Sequence, residues 1–122
     1  MIKKISLIIL VAFYLFAGIN HFINPAFYYP LIPSYLPFPI FINYFSGIAE
    51  ICLAFGVLFS KTRKLSSMLL ISMLIAFVPS HIYFIQIGSC AEKSLCVAPW
   101  IAWIRLILIH PLLILWARYH RS

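Results

Sequence analysis

Two charged residues of this chain, Glu50 and Arg105, lie inside long apolar stretches. An ionisable group at the centre of a lipid bilayer costs about 2.5–3.5 kcal/mol on insertion scales, so such residues commonly mark a function. Their opposite signs predict that the two side chains meet. A pair of this kind can take part in ligand binding or proton transfer, or it can be a purely structural salt bridge, and both interpretations stay open.

Further polar residues are predicted to lie near this pair. Asn20 and His21 end the first apolar stretch. His81 in the third stretch and Arg105 in the fourth lie toward the same end of the predicted bundle. We predict a ligand-binding pocket formed by Asn20, His21, Glu50, His81 and Arg105. The alternative is that each histidine makes only an interhelical hydrogen bond.

Asn43 and His110 are candidate further members of this pocket. Asn43 precedes Glu50 by seven residues, which places both on one face of a helix. His110 follows Arg105 by five residues, about 140° around an α-helix, so the two are not expected to face the same point. We predict no metal site, because no two histidines have the four-residue spacing of a helical metal-binding motif.

A stripe of small and polar residues follows one face of the second apolar stretch. Its members have the helical spacing i, i+3, i+4, i+7 and i+11, and they are Asn43, Ser46, Gly47, Glu50 and Ala54. Small residues allow membrane helices to approach each other closely. The stripe therefore predicts that Glu50 points into the interior of a helix bundle.

The composition of the 122-residue chain predicts a membrane protein. Hydrophobic residues make up 65% and charged residues 9%, against about 25% charged residues in a typical soluble protein. A small soluble domain would need more polar surface, and the net charge of +7 accompanies only two acidic residues rather than a dense basic face for nucleic acid. We predict an all-α integral membrane four-helix bundle that forms a single domain over residues 1–122, with the lipid bilayer around it.

Four segments approach the length of about 20 residues that a membrane-spanning helix needs. The predicted spans are residues 5–22, 40–59, 65–87 and 100–117. Seven basic residues then fall at one end of the bundle: Lys3, Lys4, Lys61, Arg63, Lys64, Arg118 and Arg121. At the opposite end the charges of Glu92 and Lys93 cancel. Because cytoplasmic loops carry the excess of lysine and arginine, both termini are predicted to be cytoplasmic.

The loop between the first two spans, residues 24–39, contains five of the eight prolines. It is too apolar for a free loop and too rich in proline for a long helix. Aromatic rings with one polar edge settle at the membrane–water interface, so we predict an interfacial flap. This flap is either a plain anchor or a lid over a cavity.

Cys90 and Cys96 lie in the loop between the third and fourth spans. If the outer side is oxidising, a structural disulfide is expected there. Their separation does not match the Cys-x-x-Cys spacing of a redox dithiol. Cys52 lies deep in the second span and is expected to be an inert small apolar residue.

Six short motifs spread over about residues 17–118 carry a family resemblance. They are Ala17-Gly18-Ile19-Asn20-His21-Phe22 with Asn24-Pro25 after it, Ile32-Pro33-Ser34-Tyr35-Leu36-Pro37, Ser46-Gly47-Ile48-Ala49-Glu50, Pro79-Ser80-His81-Ile82-Tyr83, Trp103-Ile104-Arg105-Leu106 and Leu113-Ile114-Leu115-Trp116-Ala117. With these motifs the chain resembles the DoxX-like family of small four-span membrane proteins. The resemblance implies a multi-pass protein of the bacterial cytoplasmic (inner) membrane, and an association with quinone, oxidative-stress or thiol systems. A more distant resemblance, to the receptor chaperone NACHO, implies a role in assembly.

Two functions are therefore expected as alternatives. The first is a redox- or oxidative-stress-associated subunit that binds a quinone or another small lipophilic molecule in a polar pocket of the outer leaflet. The second is a non-enzymatic accessory or assembly factor whose buried polar cluster is structural. A membrane or thiol-redox protein is a candidate partner, as is a second copy of the chain in a homodimer, whereas nucleic acid is not. Whether the chain is an enzyme stays open.

Overall fold

The fold consists of helices joined by short loops. The computed structural model describes residues 1–91 and 94–121, so the expected charge cancellation between Glu92 and Lys93 lies outside the described residues, as does Ser122. The α-helices are α1 Ile2–Ile23, α2 Pro25–Tyr28, α3 Pro39–Leu58, α4 Arg63–Ala76, α5 Val78–Gln86, α6 Pro99–Ile104 and α7 His110–Tyr119. A 3-10 turn covers Tyr29–Leu31, and a π-helical turn covers Arg105–Ile109.

Four helical units are long and apolar enough to cross a membrane. They are Ile2–Ile23, Pro39–Leu58, Arg63–Gln86 and Pro99–Tyr119, with mean hydropathies of 2.1, 1.7, 2.1 and 1.8. We refer to them as spans one to four. At most 33% of the most apolar 18 residues of any span are buried, so most of their apolar side chains face outward. Among the described residues no β-strand occurs, and the predicted all-helical chain with four such helices is confirmed.

The two termini and the turn between α3 and α4 lie at one end of the bundle, which we call the basic end. Ser6 Oγ is 2.9 Å from Nε2 of His120, which joins the two terminal helices there. Arg63, at the start of α4, donates hydrogen bonds to the carbonyl oxygens of Val57 and Leu58 at 2.9 and 3.0 Å. The opposite end, which carries α2, the 3-10 turn and the loop from α5 to α6, is called the loop end.

Helices α1 and α3 cross in backbone contact at two glycines. A Cβ atom added to Gly18 would lie 2.7 Å from the carbonyl oxygen of Gly47, and one added to Gly47 would lie 2.8 Å from Cβ of His21. Neither position has room for a side chain, which is the use of small residues that the stripe on α3 predicted. The five members of that stripe are all buried, and the crossing brings His21 against the same face.

Prolines interrupt the α-helical hydrogen bonding of spans three and four. Pro79 has no N–H to donate, and α4 ends at Ala76 shortly before it. Pro111 likewise cannot bond to a carbonyl one turn earlier, and the preceding five residues form the π-helical turn. In this turn the backbone N–H of His110 donates to the carbonyl oxygen of Arg105, the i→i+5 pattern of a π-helix.

Apolar side chains pack in two clusters. The cluster nearer the basic end comprises Leu10, Val11, Tyr14, Ala54, Val57, Leu70 and Ala117. The cluster at the loop end comprises Leu31, Phe84, Ala91 and Ala102.

Candidate functional site

A cavity of about 560 Å³ opens between the four spans and the flap. This volume lies in the range of small-molecule pockets, which is about 300–1,000 Å³. Most of its wall is apolar, and its polar lining residues are His21, Asn43, Ser46, Glu50, Ser80, His81 and Arg105. Four of the five residues predicted for a pocket therefore line it together with Asn43, while Asn20 and His110 do not.

His21 lies at the centre of a hydrogen-bonded group that joins α1 to α3. Its Nδ1 is 2.7 Å from Oδ1 of Asn43, and Nδ2 of Asn43 donates to the carbonyl oxygen of His21 at 3.0 Å. Its Nε2 is 3.3 Å from Oε1 of Glu50. All three side chains are buried or nearly so, at 8%, 1% and 4% exposure.

The hydrogen bonds of this group determine where its protons lie. Oδ1 of Asn43 is an acceptor, so Nδ1 of His21 must carry a proton. Nε2 of His21 faces Oε1 of Glu50, and this contact is an ion pair when both ring nitrogens are protonated. The second carboxyl oxygen, Oε2 of Glu50, is buried and has no hydrogen-bond partner among the described residues.

The predicted ion pair between Glu50 and Arg105 is replaced by one between Glu50 and His21. Within the described residues no ion pair joins Glu50 to Arg105, although both line the cavity. The physical reason is the close crossing at Gly18 and Gly47, which brings α1 nearer to Glu50 than span four comes. The histidine that was assigned to the wall of the pocket is therefore the direct partner of the carboxyl group.

Arg105 is the cationic group of the cavity. Its guanidinium carbon lies 5.9 Å from the ring centroid of Phe84, a cation–π arrangement. In the part of the chain that the structure describes, Arg105 has neither a carboxylate partner nor a hydrogen-bond acceptor. A guanidinium has five N–H donors in a fixed fork and is always charged.

His81 and His110 pack against each other beside Arg105. Their ring centroids are 4.5 Å apart with an interplanar angle of 63°. His81 lines the cavity, whereas His110 is buried behind it and donates from Nε2 to the carbonyl oxygen of Leu74. The 140° separation expected between Arg105 and His110 assumed an α-helix. The π-helical turn brings residues five apart onto one face, so His110 supports the site from behind instead of pointing away from it.

Tyr28 of α2 covers the site, and the sequence pattern did not single it out. Its ring stacks on the ring of His21 at 3.9 Å between centroids and 19° between planes. Asn20 donates to the Tyr28 hydroxyl at 2.7 Å, so the predicted pocket residue Asn20 acts as a positioning residue for the lid. Burial raises the pKa of Tyr28, and Glu50 adds to this, while Asn20 and Arg105 act in the opposite direction. In the sequence, the one feature that pointed to this role of Tyr28 was an aromatic ring in the flap, and an aromatic ring there is equally typical of an interfacial anchor.

The flap is fastened over the cavity by two hydrogen bonds. Ser80 Oγ donates to the carbonyl oxygen of Leu31 at 2.6 Å. Ser94 Oγ, from the loop between spans three and four, donates to the carbonyl oxygen of Phe27. Residues of the flap from Phe27 to Leu36 line the cavity, so in this structure the flap has the position of a lid.

The predicted disulfide between Cys90 and Cys96 is present, with 3.9 Å between the Cα atoms. Backbone hydrogen bonds support it on both sides, from Ala91 to Leu95 at 2.8 Å and from Val97 to Ser89 at 2.9 Å. The bridge therefore closes the loop that carries Ser94 to the flap. Cys52 lies within span two as expected, but its side chain is on the exposed face of α3.

We expect thiol labelling without reductant to modify Cys52 alone. Cys90 and Cys96 should react only after reduction, because both sulfur atoms are in the bridge. Mass analysis of labelled protein from freshly isolated membranes measures this directly, and a Cys52→Ser variant is the control that should take up no label before reduction. Labelling of both loop cysteines in unreduced membranes would contradict the bridge.

Within residues 1–91 and 94–121 no group of three or more His, Cys, Asp or Glu side chains is placed to hold a metal ion. The polar lining consists of hydrogen-bonding groups and one guanidinium, which favour an organic ligand with polar atoms.

Fold and site together define a small all-helical protein whose four apolar helices enclose, under a flap, a mostly apolar cavity with a few polar residues. The chain belongs to the family described as domain of unknown function DUF8561, whose family model matches residues 10–121. No curated protein and no solved structure matches the chain. The resemblance to the DoxX-like family and to NACHO rests on the sequence motifs and stays a prediction.

Proposed function

We propose that this protein spans a bacterial cytoplasmic membrane four times, with its basic end in the cytoplasm. The support is the length and hydropathy of the four spans together with the seven lysines and arginines at one end. The cavity then lies in the outer half of the membrane, below the flap. A ligand can reach this depth from the lipid phase or from beneath the flap.

This orientation predicts opposite results for two reporter fusions. A reporter at Ser122 should be active as a cytoplasmic reporter, and one inserted beside Glu92 should be active as an exported reporter, because lysine and arginine are retained on the inner side. Replacing Lys61, Arg63 and Lys64 by glutamine is the control that should weaken the preference. Reporters on matching sides would contradict the four-span arrangement.

We further propose that the cavity binds a quinone or another small lipophilic carbonyl compound as part of a redox system. The observation that carries this proposal is Arg105, a charged donor group without a partner among the described residues, which lines the same cavity as the His21–Glu50 pair. A carbonyl oxygen accepts hydrogen bonds from the guanidinium. The free oxygen Oε2 of Glu50 accepts from a hydroxyl group, as the reduced quinol offers.

The His21–Glu50 contact also suits proton exchange with such a ligand. In this proposal a proton lies between Nε2 and Oε1, which are 3.3 Å apart, and either residue can hold it. Conversion of a quinone to a quinol takes up two electrons and two protons. In this proposal a membrane or thiol-redox partner protein exchanges the electrons, and this chain holds the ring and relays protons.

Identification of co-purifying molecules tests the proposal. The protein is extracted in a mild detergent, and the organic extract and the protein fraction are both analysed by mass spectrometry. We expect about one quinone per chain in the wild type and a smaller amount of bound quinone in an Arg105→Gln variant. The amount should be unchanged in Arg118→Gln, which removes the same charge at the basic end. Extracts without any quinone would overturn the proposal.

One observation favours the second candidate function, an accessory or assembly factor. The side chains of His21, Asn43 and Glu50 satisfy one another and join α1 to α3, as a structural cluster does. In that case the same purification yields a stoichiometric membrane protein partner and no small lipophilic molecule. Arg105 is the residue that this candidate leaves without a role.

A further inference from the structure

The loop between spans three and four is attached to the flap at two kinds of contact. Ser94 Oγ donates a hydrogen bond to the carbonyl oxygen of Phe27. Leu31 of the flap belongs to the apolar cluster at the loop end, to which this loop contributes Ala91, Leu95 and Val97. Phe27 and Leu31 also line the cavity, so the loop holds part of its cover in place. We call residues 89–91 and 94–97 of this loop the strap.

The strap has a backbone shape that its own hydrogen bonds support only weakly. Ser89 has a φ of 61°, in the left-handed region that residues other than glycine seldom adopt. Its hydroxyl group is buried and has no hydrogen-bond partner among the described residues. The backbone pairing between Cys90 and Cys96 is a single isolated bridge, and a hairpin this short is at best marginally stable without further support. The disulfide between these two residues is the covalent link that supplies this support.

The disulfide of the strap can be reached from outside the protein. Both Cys90 and Cys96 are exposed residues. In thiol–disulfide exchange the thiolate of a donor dithiol attacks one sulfur atom, and the other sulfur leaves as a thiolate. The second thiol of the donor then resolves the mixed disulfide. The strap has taken up two electrons and two protons and carries two thiols, and the donor has become a disulfide.

We propose that the Cys90–Cys96 disulfide is a redox-sensitive switch that controls access to the cavity under the flap. With the disulfide closed, the strap holds the flap over the cavity. Reduction by a dithiol protein or a small thiol relaxes the strap and releases the hydrogen bond from Ser94 to Phe27. The hydrogen bond from Ser80 to Leu31 comes from span three and not from the strap, so the flap loosens without leaving the bundle.

This switch deepens the proposed function, because it regulates the same cavity, but it holds for any ligand of that cavity. The proposed orientation decides only the side from which the reductant comes, which is the outer side. An experiment on the flap itself, in detergent and without a ligand, therefore tests the switch separately from the quinone.

Hydrogen exchange of the wild-type protein, measured by mass spectrometry, is the first test. We expect peptides that cover residues 27–36 to exchange about tenfold faster after reduction with dithiothreitol, because a released hydrogen bond and its neighbouring contacts change local opening by about this factor. Oxidised glutathione should restore the slow exchange. Peptides from α4, Arg63–Ala76, are the internal control, and their exchange should not change.

A matched pair of serine variants identifies the contact that the switch uses. Ser94→Ala removes the attachment to Phe27 and leaves the disulfide intact, so the flap should exchange faster already in the oxidised protein, and reduction should add little. Ser72→Ala also removes one side-chain hydrogen bond, from an exposed position in span three. It should keep the full response of the flap to reduction.

Labelling of a thiol in the cavity measures access directly. Ser46 lines the cavity, and Ser46→Cys in a Cys52→Ser background is compared in two chains, one with the disulfide and one with Cys90→Ala/Cys96→Ala. Each chain has a single free thiol. We expect a maleimide to react about tenfold faster in the chain without the disulfide, in line with the expected opening of the flap. The native Cys52, which lies on the exposed face of α3, should react at the same rate with and without the disulfide.

Three results would overturn the switch. The first is equal exchange of the flap before and after reduction. The second is an equally large increase in α4, since the disulfide would then stabilise the whole fold instead of the flap. The third is equal labelling of Ser46→Cys in the two chains, which would mean that the flap covers the cavity without the strap. An absence of co-purifying quinone leaves all three measurements unaffected.

Discussion

His21→Leu is expected to destabilise the folded protein by about 3–5 kcal/mol, the usual result of removing one partner of a buried ion pair. The substitution leaves Glu50 buried at 4% exposure without its partner, and it also removes the hydrogen bond to Asn43. Thermal or denaturant unfolding in detergent measures the change. Glu50→Gln should cost much less, because the amide is uncharged and can donate to an unprotonated Nε2 of His21.

A double-mutant cycle identifies the partner of Glu50. We expect His21→Leu/Glu50→Leu to be clearly milder than the sum of its single changes, because two apolar residues replace a complete pair. The control cycle combines Glu50→Leu with Arg105→Leu, and its effects should add to within about 0.5 kcal/mol, as for residues that share no contact. Coupling in the control cycle and additivity in the first would show that the carboxyl group belongs to Arg105 after all.

Arg105→Gln is expected to weaken the binding of a short-chain benzoquinone by about 10- to 100-fold. A hydrogen bond from a charged group is worth about 1.5–3 kcal/mol, and the amide that replaces the guanidinium retains only neutral donors. The stability of the folded protein should change little, because no described residue depends on Arg105 for a hydrogen bond or an ion pair. Isothermal titration in detergent gives the dissociation constant, and a melting curve on the same sample gives the stability.

Two comparisons make this result specific for the cavity. Arg118→Gln removes the same charge outside the cavity, so it should leave the dissociation constant unchanged. Arg105→Lys keeps the charge but loses the planar fork, and we expect an intermediate affinity. A benzoquinone that binds Arg105→Gln as tightly as the wild type would remove Arg105 from the proposed ligand site. A large loss of stability in Arg105→Gln would instead indicate a structural role.

Composition and helical spacing were sufficient for the architecture. The four apolar stretches became the four spans, because an apolar run of this length can form a helical unit long enough to cross a membrane, even where a proline interrupts its hydrogen bonding. The stripe of small residues on α3 indicated the buried face, because helical spacing places these residues on one side of the helix, where a neighbouring helix can approach closely. The two cysteines six positions apart also paired as expected, because the chain between them is short.

The tertiary structure decided which polar groups meet. Opposite charge suggested Arg105 for Glu50, but the glycine crossing of α1 and α3 brought His21 within 3.3 Å instead. Charge acts over distance in any direction, whereas a hydrogen bond needs one particular separation of two helices, which depends on side chains along the whole crossing. The place of Tyr28 over His21 has the same origin, since the path of the flap depends on its fastening to Ser80 and Ser94.

Local backbone geometry was the other property that sequence spacing left open. The predicted separation of Arg105 and His110 around the helix holds for an ideal α-helix. Pro111 removes a backbone donor, however, and the chain accommodates this with a π-helical turn. A proline within a helix can be accommodated by a kink, a 3-10 segment or a π-helical turn. The contacts of His110 with His81 and with the carbonyl group of Leu74 belong to the tertiary structure, and they accompany the π-helical turn.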